Sequence, residues 1–200
     1  MNELKKSRVK AVFKYTWPFY IISAILTVFL MDFIFRLNNK TPKYQTLTLF
    51  VSGEVTNRDS LEKDLLEKYK EKDLKLFSCI DSMPNSFNYD TKLSVTGYNS
   101  ADVLIIPSTK LSSINISAFG LELDETLTNY YSSCVFYSQK GVNYGVKIDR
   151  EKVSKYMALP GEECYMILNA ISENLGEYSK DKIKEHDNAL TLVKDWASNV

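Results

Sequence analysis

The longest apolar run in the chain, Trp17 to Phe35, reads WPFYIISAILTVFLMDFIF and carries one charge, Asp32, near its far end. As a helix these 19 residues would rise roughly 28 Å, close to the ~30 Å of a bilayer's hydrocarbon core. The pattern predicts one membrane-spanning helix over residues 15–37. Lys5, Lys6, Arg8, Lys10 and Lys14 precede it, whereas only Arg36, Lys40 and Lys43 follow closely. By the bias of positive charge toward the inner face, the 1–14 leader is expected in the cytoplasm and the chain from 44 to 200 outside, behind a 38–43 tether. A cleaved signal fits less well, because Phe33, Ile34 and Phe35 stand where small residues should form a cleavage site. A lipid-modified cysteine is also not expected, since the first cysteine is Cys79.

Beyond Pro42 the periodicity changes from helical to extended. Gln45 to Val51 alternates and then becomes continuously apolar, which predicts a strand entering the middle of a sheet. Ser52-Gly53-Glu54 ends it, and Asp59 with Glu62, or Thr56 with Asp59, offers a cap for a helix whose face is Leu61, Leu65, Leu66 and Tyr69. Leu74 to Ser78 predicts a second strand, SMPNSFNYD a loop, and Leu93 to Gly97 fits a short helix or a strand equally. Ala101 to Pro107, ADVLIIP, is a buried strand followed by a helical turn from Ser108 to Leu111. Cys134 to Ser138 and Tyr144 to Ile148 predict a hairpin through residues 139–143, Cys164 to Leu168 a further strand, and Ala189, Leu192, Val193, Trp196 and Ala197 one face of a last helix. Two successive strand-helix-strand passes predict a mostly parallel sheet covered by helices on both faces.

Charge and cysteine content narrow the chemistry. The whole chain is neutral, with 25 basic and 25 acidic residues, but residues 37–200 hold 19 Lys and Arg against 23 Asp and Glu, a net of −4. A nucleic-acid surface is not indicated. Cys79, Cys134 and Cys164 are an odd set without a C-x-x-C, so one disulfide plus a free thiol is open, as is plain burial. No metal or cofactor is expected. The sole histidine, His186, lies in the charged run KDKIKEHDNA and reads as a solvated helix residue. With no G-x-S-x-G, P-loop, H-E-x-x-H or GxGxxG, and with Asp124-Glu125 and Glu162-Glu163 read as solvated loop charges, no enzyme is expected.

LTLFVSGE, the helix DSLEKDLLEKYKEKD, LKLFS, then SADVLIIP, with Tyr144-Gly145-Val146 after a hairpin and the closing CYMILNAISENLG, together resemble extracellular solute-binding proteins of ABC importers, over most of residues 44–198. The resemblance implies a single three-layer α/β lobe, like lobe 1 of a type II periplasmic-binding fold, behind a transmembrane helix. Lys147 replaces the proline of the family's Y-G-[IV]-P segment. Only fifteen residues separate Ile148 from Cys164, where a second lobe would be inserted, so hinge closure on a ligand is not expected. The arrangement looks like the small single-span relatives found in Gram-positive bacteria. It implies binding of a neighbouring envelope protein or a small polar solute such as a sugar; the alternative is a substrate-binding component of an ABC importer for sugar or peptide, acting as a dimer.

In an open parallel sheet ligands meet the carboxyl ends of strands. The candidate binding residues there are Ser52, Gly53, Glu54, Ser108 and Thr109. Tyr144, with Tyr98, Tyr130 and Tyr131, offers an aromatic face for a sugar.

Overall fold

The computed structural model describes residues 2–38 and 41–198, with side chains from 14 to 35 and from 41 to 198. The side chains of Lys5, Lys6, Arg8, Lys10 and Arg36, and the tether residues Asn39 and Lys40 altogether, lie outside this description. Two compact units divide the chain, Met1–Lys40 and Thr41–Val200.

The first unit is one helix, α1 (Asn2–Asn38), which includes the basic leader and contains Pro18. Lys14–Phe35 within it is long and apolar enough to cross a membrane. Trp17, Phe19, Ile22, Phe29 and Phe33 are exposed along it. The Thr27 hydroxyl donates to the Ser23 carbonyl at 2.8 Å, which keeps that polar group satisfied by its own helix.

The second unit is α/β. Its first strand, β1 (Thr46–Val51), is followed by the two-residue β2 (Glu54–Val55) and helix α2 (Arg58–Lys68). Asn57, rather than Asp59 or Thr56, caps α2, its side chain accepting from the Ser60 amide at 3.3 Å. The second long strand, β3, runs Leu76–Asp81, two residues later than the apolar pattern predicts. Asp73 has a φ of 57°, and Leu74 N–H still donates to Tyr69, so the chain is turning where the strand was expected to begin. After a loop come α3 (Tyr89–Lys92), a wide π turn at Leu93–Gly97, and α4 (Tyr98–Ser100), which decides the Leu93–Gly97 ambiguity for helix. Then follow β4 (Val103–Pro107) and α5 (Ser108–Leu111).

A helix without a strong apolar period, α6 (Glu125–Tyr130), begins at Asp124, whose carboxylate accepts from the Leu127 amide at 2.8 Å; Asp124 is thus a cap and not a loose loop charge. The hairpin of β5 (Phe136–Gln139) and β6 (Val142–Lys147) turns at Lys140 and Gly141, both at positive φ, a tighter connection than residues 139–143. The chain closes with α7 (Arg150–Val153), β7 (Met157–Ala158), β8 (Cys164–Leu168) and α8 (Asn188–Trp196).

Strand order is β3-β1-β4-β8-β6-β5. β3, β1 and β4 pair in parallel, while β8 lies antiparallel between β4 and β6. Four of the six strands therefore run one way, with β8 and β5 opposed. Alternation along the strands gives two cores: Leu47, Leu49, Val103 and Ile105 pack toward α2 and α8, and Phe50, Leu104 and Ile106 pack toward Tyr89, Leu93 and Leu111. Leu61, Leu65 and Tyr69 of the first helix face, and Ala189, Leu192, Val193 and Trp196 of the last, are buried in the first of these cores. All three cysteines are buried and none is in a disulfide; burial pushes the Cys79 thiol up to about 12 and the Cys164 thiol to about 11.

Candidate functional site

At the carboxyl edge of the sheet the expected loops follow β1 and β4, and there the chain covers itself. Ser52 is fully buried; its amide donates to Ile105 and its hydroxyl shares a 2.7 Å hydrogen bond with the Tyr89 phenol. Gly53 donates to the Ser82 carbonyl at 3.1 Å, and a Cβ on it would stand 2.5 Å from the Ala158 carbonyl. That closeness comes from the small sheet β2-β7, in which Glu54 pairs with Ala158 and Val55 with Met157. Glycine is needed at 53 for this backbone approach. Gly53→Ala is expected to cost about 1–3 kcal/mol in urea unfolding, through a clash with backbone that cannot rotate away. An unchanged midpoint would mean that β7 does not press on β2. Glu54 keeps an exposed side chain on the rim.

Ser108 and Thr109 begin α5 and are held by a carboxylate from the same chain. Glu162 accepts from the Thr109 hydroxyl at 2.8 Å, the Thr109 amide at 3.0 Å and the Ser108 hydroxyl at 3.2 Å. Desolvation opposes ionisation, but these bonds outweigh it and hold the Glu162 carboxyl below the usual carboxylate range. Arg150, on α7, donates to the Pro160 and Glu162 carbonyls and so fixes the turn that presents Glu162. Glu163 pairs with Lys147 and accepts from the Tyr165 phenol at 2.8 Å. Glu162 is therefore an ordered clasp and not a loose loop charge, whereas Glu163 remains exposed beside its Lys147 partner. No local signal marks Glu162, because its partners lie more than fifty positions earlier.

The tyrosines do not gather at this edge. Tyr144 is buried, with its phenol 3.1 Å from the Glu122 carboxylate, on a stretch of β6 whose neighbours on β8 lie toward Leu168 and so toward the opposite end of the sheet. Tyr131 is buried and donates to the Leu190 carbonyl at 3.0 Å; Tyr130 lies edge-on to it under the Lys194 ammonium. Tyr98 stacks on Phe119 with ring centres 4.1 Å apart. His186 lies outside any helix, stacked on Tyr44 at 3.8 Å, since Gly176 and Asn174 tie this loop down before α8 begins.

The amino edge holds a buried polar network. Asp102 accepts from the Thr48 amide at 2.7 Å, from Asn174 at 3.2 Å and from the Ser172 hydroxyl. Asn169 donates to the carbonyls of Tyr98 and Ala101 at 2.9 and 2.8 Å, and Asn174 also serves Thr46 at 2.8 Å. Asn188 donates to Asn174 at 3.2 Å. These side chains satisfy backbone groups where β1, β4 and β8 leave the ladder, which sequence pattern does not reveal.

No family model and no curated protein matches this chain. Among solved structures it is similar in part to the maltose/maltodextrin-binding domain MalE from Bdellovibrio bacteriovorus bound to maltotriose, at 14% identity and a TM-score of 0.39, over 52% of this chain and 28% of that one. A second, maltodextrin-binding protein MalE1 from L. casei BL23 without ligand, has 16% identity and a TM-score of 0.34, over 55% of this chain and 33% of that one. The chain thus spans about a third of the length of these proteins, and the likeness is partial.

Proposed function

We propose that this chain is a non-enzymatic, membrane-anchored recognition domain, held outside the cell by a single span and docking on a neighbouring envelope protein. The observation that carries this reading is the occupied carboxyl edge: Glu162 on Ser108 and Thr109, Ser52 on Tyr89, and β7 on β2. A free solute entering there would have to displace groups that already satisfy one another, whereas a protein partner needs only an exposed, ordered surface. Such a surface adjoins the edge in the loop from β3 to α3, where Phe87 is fully exposed and Met83 half exposed. Hydrogen bonds from Ser86 to Met83 and from Tyr89 to Ser86 fix this loop before any partner arrives. An exposed aromatic on a pre-ordered turn is the type of side chain that anchors protein interfaces.

The test is photo-cross-linking in intact cells from positions flanking Phe87. A hot-spot aromatic contributes about 2 kcal/mol or more, so Phe87→Ala is expected to weaken capture of the partner by roughly tenfold or more while the melting temperature stays unchanged. Equal capture by the wild type, Phe87→Ala and Met83→Ala would remove this loop from the docking surface.

A further inference from the structure

The amino edge of the sheet offers what the carboxyl edge does not. Two adjoining clefts of about 260 and 450 Å³ open there, sharing Asn99 and Ile171 in their walls. Thr48, Ser100 and Asp102 line the first, at the start of β1 and β4; Tyr98, Asn115 and Phe119 line the second. Among the described residues nothing takes the Ser100, Thr48 or Tyr98 hydroxyls or the Asn115 amide nitrogen. Asn99 donates its amide nitrogen to the Ser94 and Val95 carbonyls, which leaves its oxygen to accept.

The charged groups, by contrast, are closed on one another. Glu173 pairs with Lys43 at 3.6 Å, and the Asp102 carboxylate is engaged by Thr48, Ser172 and Asn174. Neutral donors and acceptors therefore face the clefts beside apolar surface: the exposed Ile171, the partly buried Ile114, and Tyr98 stacked on Phe119. Among the described residues the one cation lining the first cleft, Lys43, is already paired with Glu173, so an anion would find no uncompensated positive charge there. A peptide strand would need an unpaired sheet edge, yet β1 and β4 are interior strands paired on both sides. A ligand whose hydroxyls both donate and accept, which is uncharged and which carries apolar C–H faces, fits both halves of this lining.

We propose that these amino-edge clefts bind a neutral saccharide segment, at the end of the sheet remote from the Glu162 clasp. The full chain in lipid nanodiscs, with no glycoside detergent present, would be titrated by calorimetry with maltotriose, cellotriose and triacetylchitotriose. At least one of these is expected to bind saturably. Asn99→Ala and Ser100→Ala, both at exposed positions, should each weaken it by about tenfold, because a sugar hydroxyl is left unpaired. Ile171→Lys should abolish it by placing a charged side chain between the clefts. Thr109→Ala, at the carboxyl edge, should leave it unchanged. Circular dichroism of each variant separates lost binding from lost fold. No binding by any of these sugars at millimolar concentration, binding that survives Ile171→Lys, or binding lost in Thr109→Ala would each overturn the proposal.

Discussion

Asp102→Ala is expected to destabilise the α/β unit by about 3 kcal/mol or more, since it leaves the Thr48 amide and the Ser172 and Asn174 side chains without their shared acceptor in a buried place. Asp102→Asn keeps the size and removes the titration, but its NH2 end cannot accept, so it also loses at least one of these bonds; the pH dependence, and not the absolute midpoint, is then the sharper test. Burial pushes the Asp102 carboxyl above its ordinary 3.8, against hydrogen bonds from Ser172, Thr48 and Asn174 that pull it down. The native state then holds a proton where the unfolded chain has already released it. That stabilisation is complete below pH 3.8 and is lost as pH rises through the folded value. Glu162, Glu163 and Asp64, the last accepting from the Tyr156 phenol and Lys155, are all held low; they contribute with the opposite sign and lose their stabilisation as pH falls. Urea midpoints of wild type and Asp102→Asn across a pH series separate the two effects. The wild type should lose stability relative to the variant as pH rises from 3.8. Parallel curves would mean that Asp102 is ionised in both states, and that its hydrogen bonds outweigh its burial.

The elements legible in the sequence are those whose own side chains build the cores. β4 and β8 are apolar runs buried on both faces, β1 alternates before its continuously apolar end, and α8 carries its apolar residues at three- and four-residue spacings. β2 and β7 have two residues each and no period to read. The direction of β8 was equally hidden, because CYMIL is apolar enough for either sense; its pairing of Val103 with Leu168 and Pro107 with Cys164 sets it antiparallel. The candidate site divides in the same way. Strand order brings Ser52 and Ser108 to one edge, as the alternation of strands and helices predicts. Whether their hydroxyls are free depends on Tyr89 and Glu162, distant in sequence, and Tyr144 is carried to the other end by the register of β6 on β8. Glu162 satisfies one hydrogen-bond rule that sequence patterns do not encode: a carboxylate is worth most where it meets several donors at once.

Replacing residues 150–162 by a glycine-serine linker of equal length is expected to bring the α/β unit close to unfolding at room temperature. Val153, Tyr156 and Met157 are all nearly fully buried in the larger core, and each withdrawn side chain removes about 1.5–3 kcal/mol. The Tyr156 phenol, 2.5 Å from the Asp64 carboxylate, and the Thr56 amide, bonded to the Tyr156 carbonyl at 2.9 Å, would be lost with them. Their sum approaches the 5–15 kcal/mol that ordinarily holds a whole domain together. The measurement is the urea midpoint and slope of the variant against wild type. A collapse of the midpoint makes this short segment an integral wall of the core, so the carboxyl edge cannot open for a solute without unfolding the domain, and the docking reading stands. A well-folded variant with a modest loss would instead make the segment a removable cover. Gly53, Ser108 and Thr109 would then lie uncovered beneath it, with Ser52 still bonded to Tyr89, and titration of that variant with small sugars, compared with the intact chain, would show whether the segment competes with a ligand for the same donors.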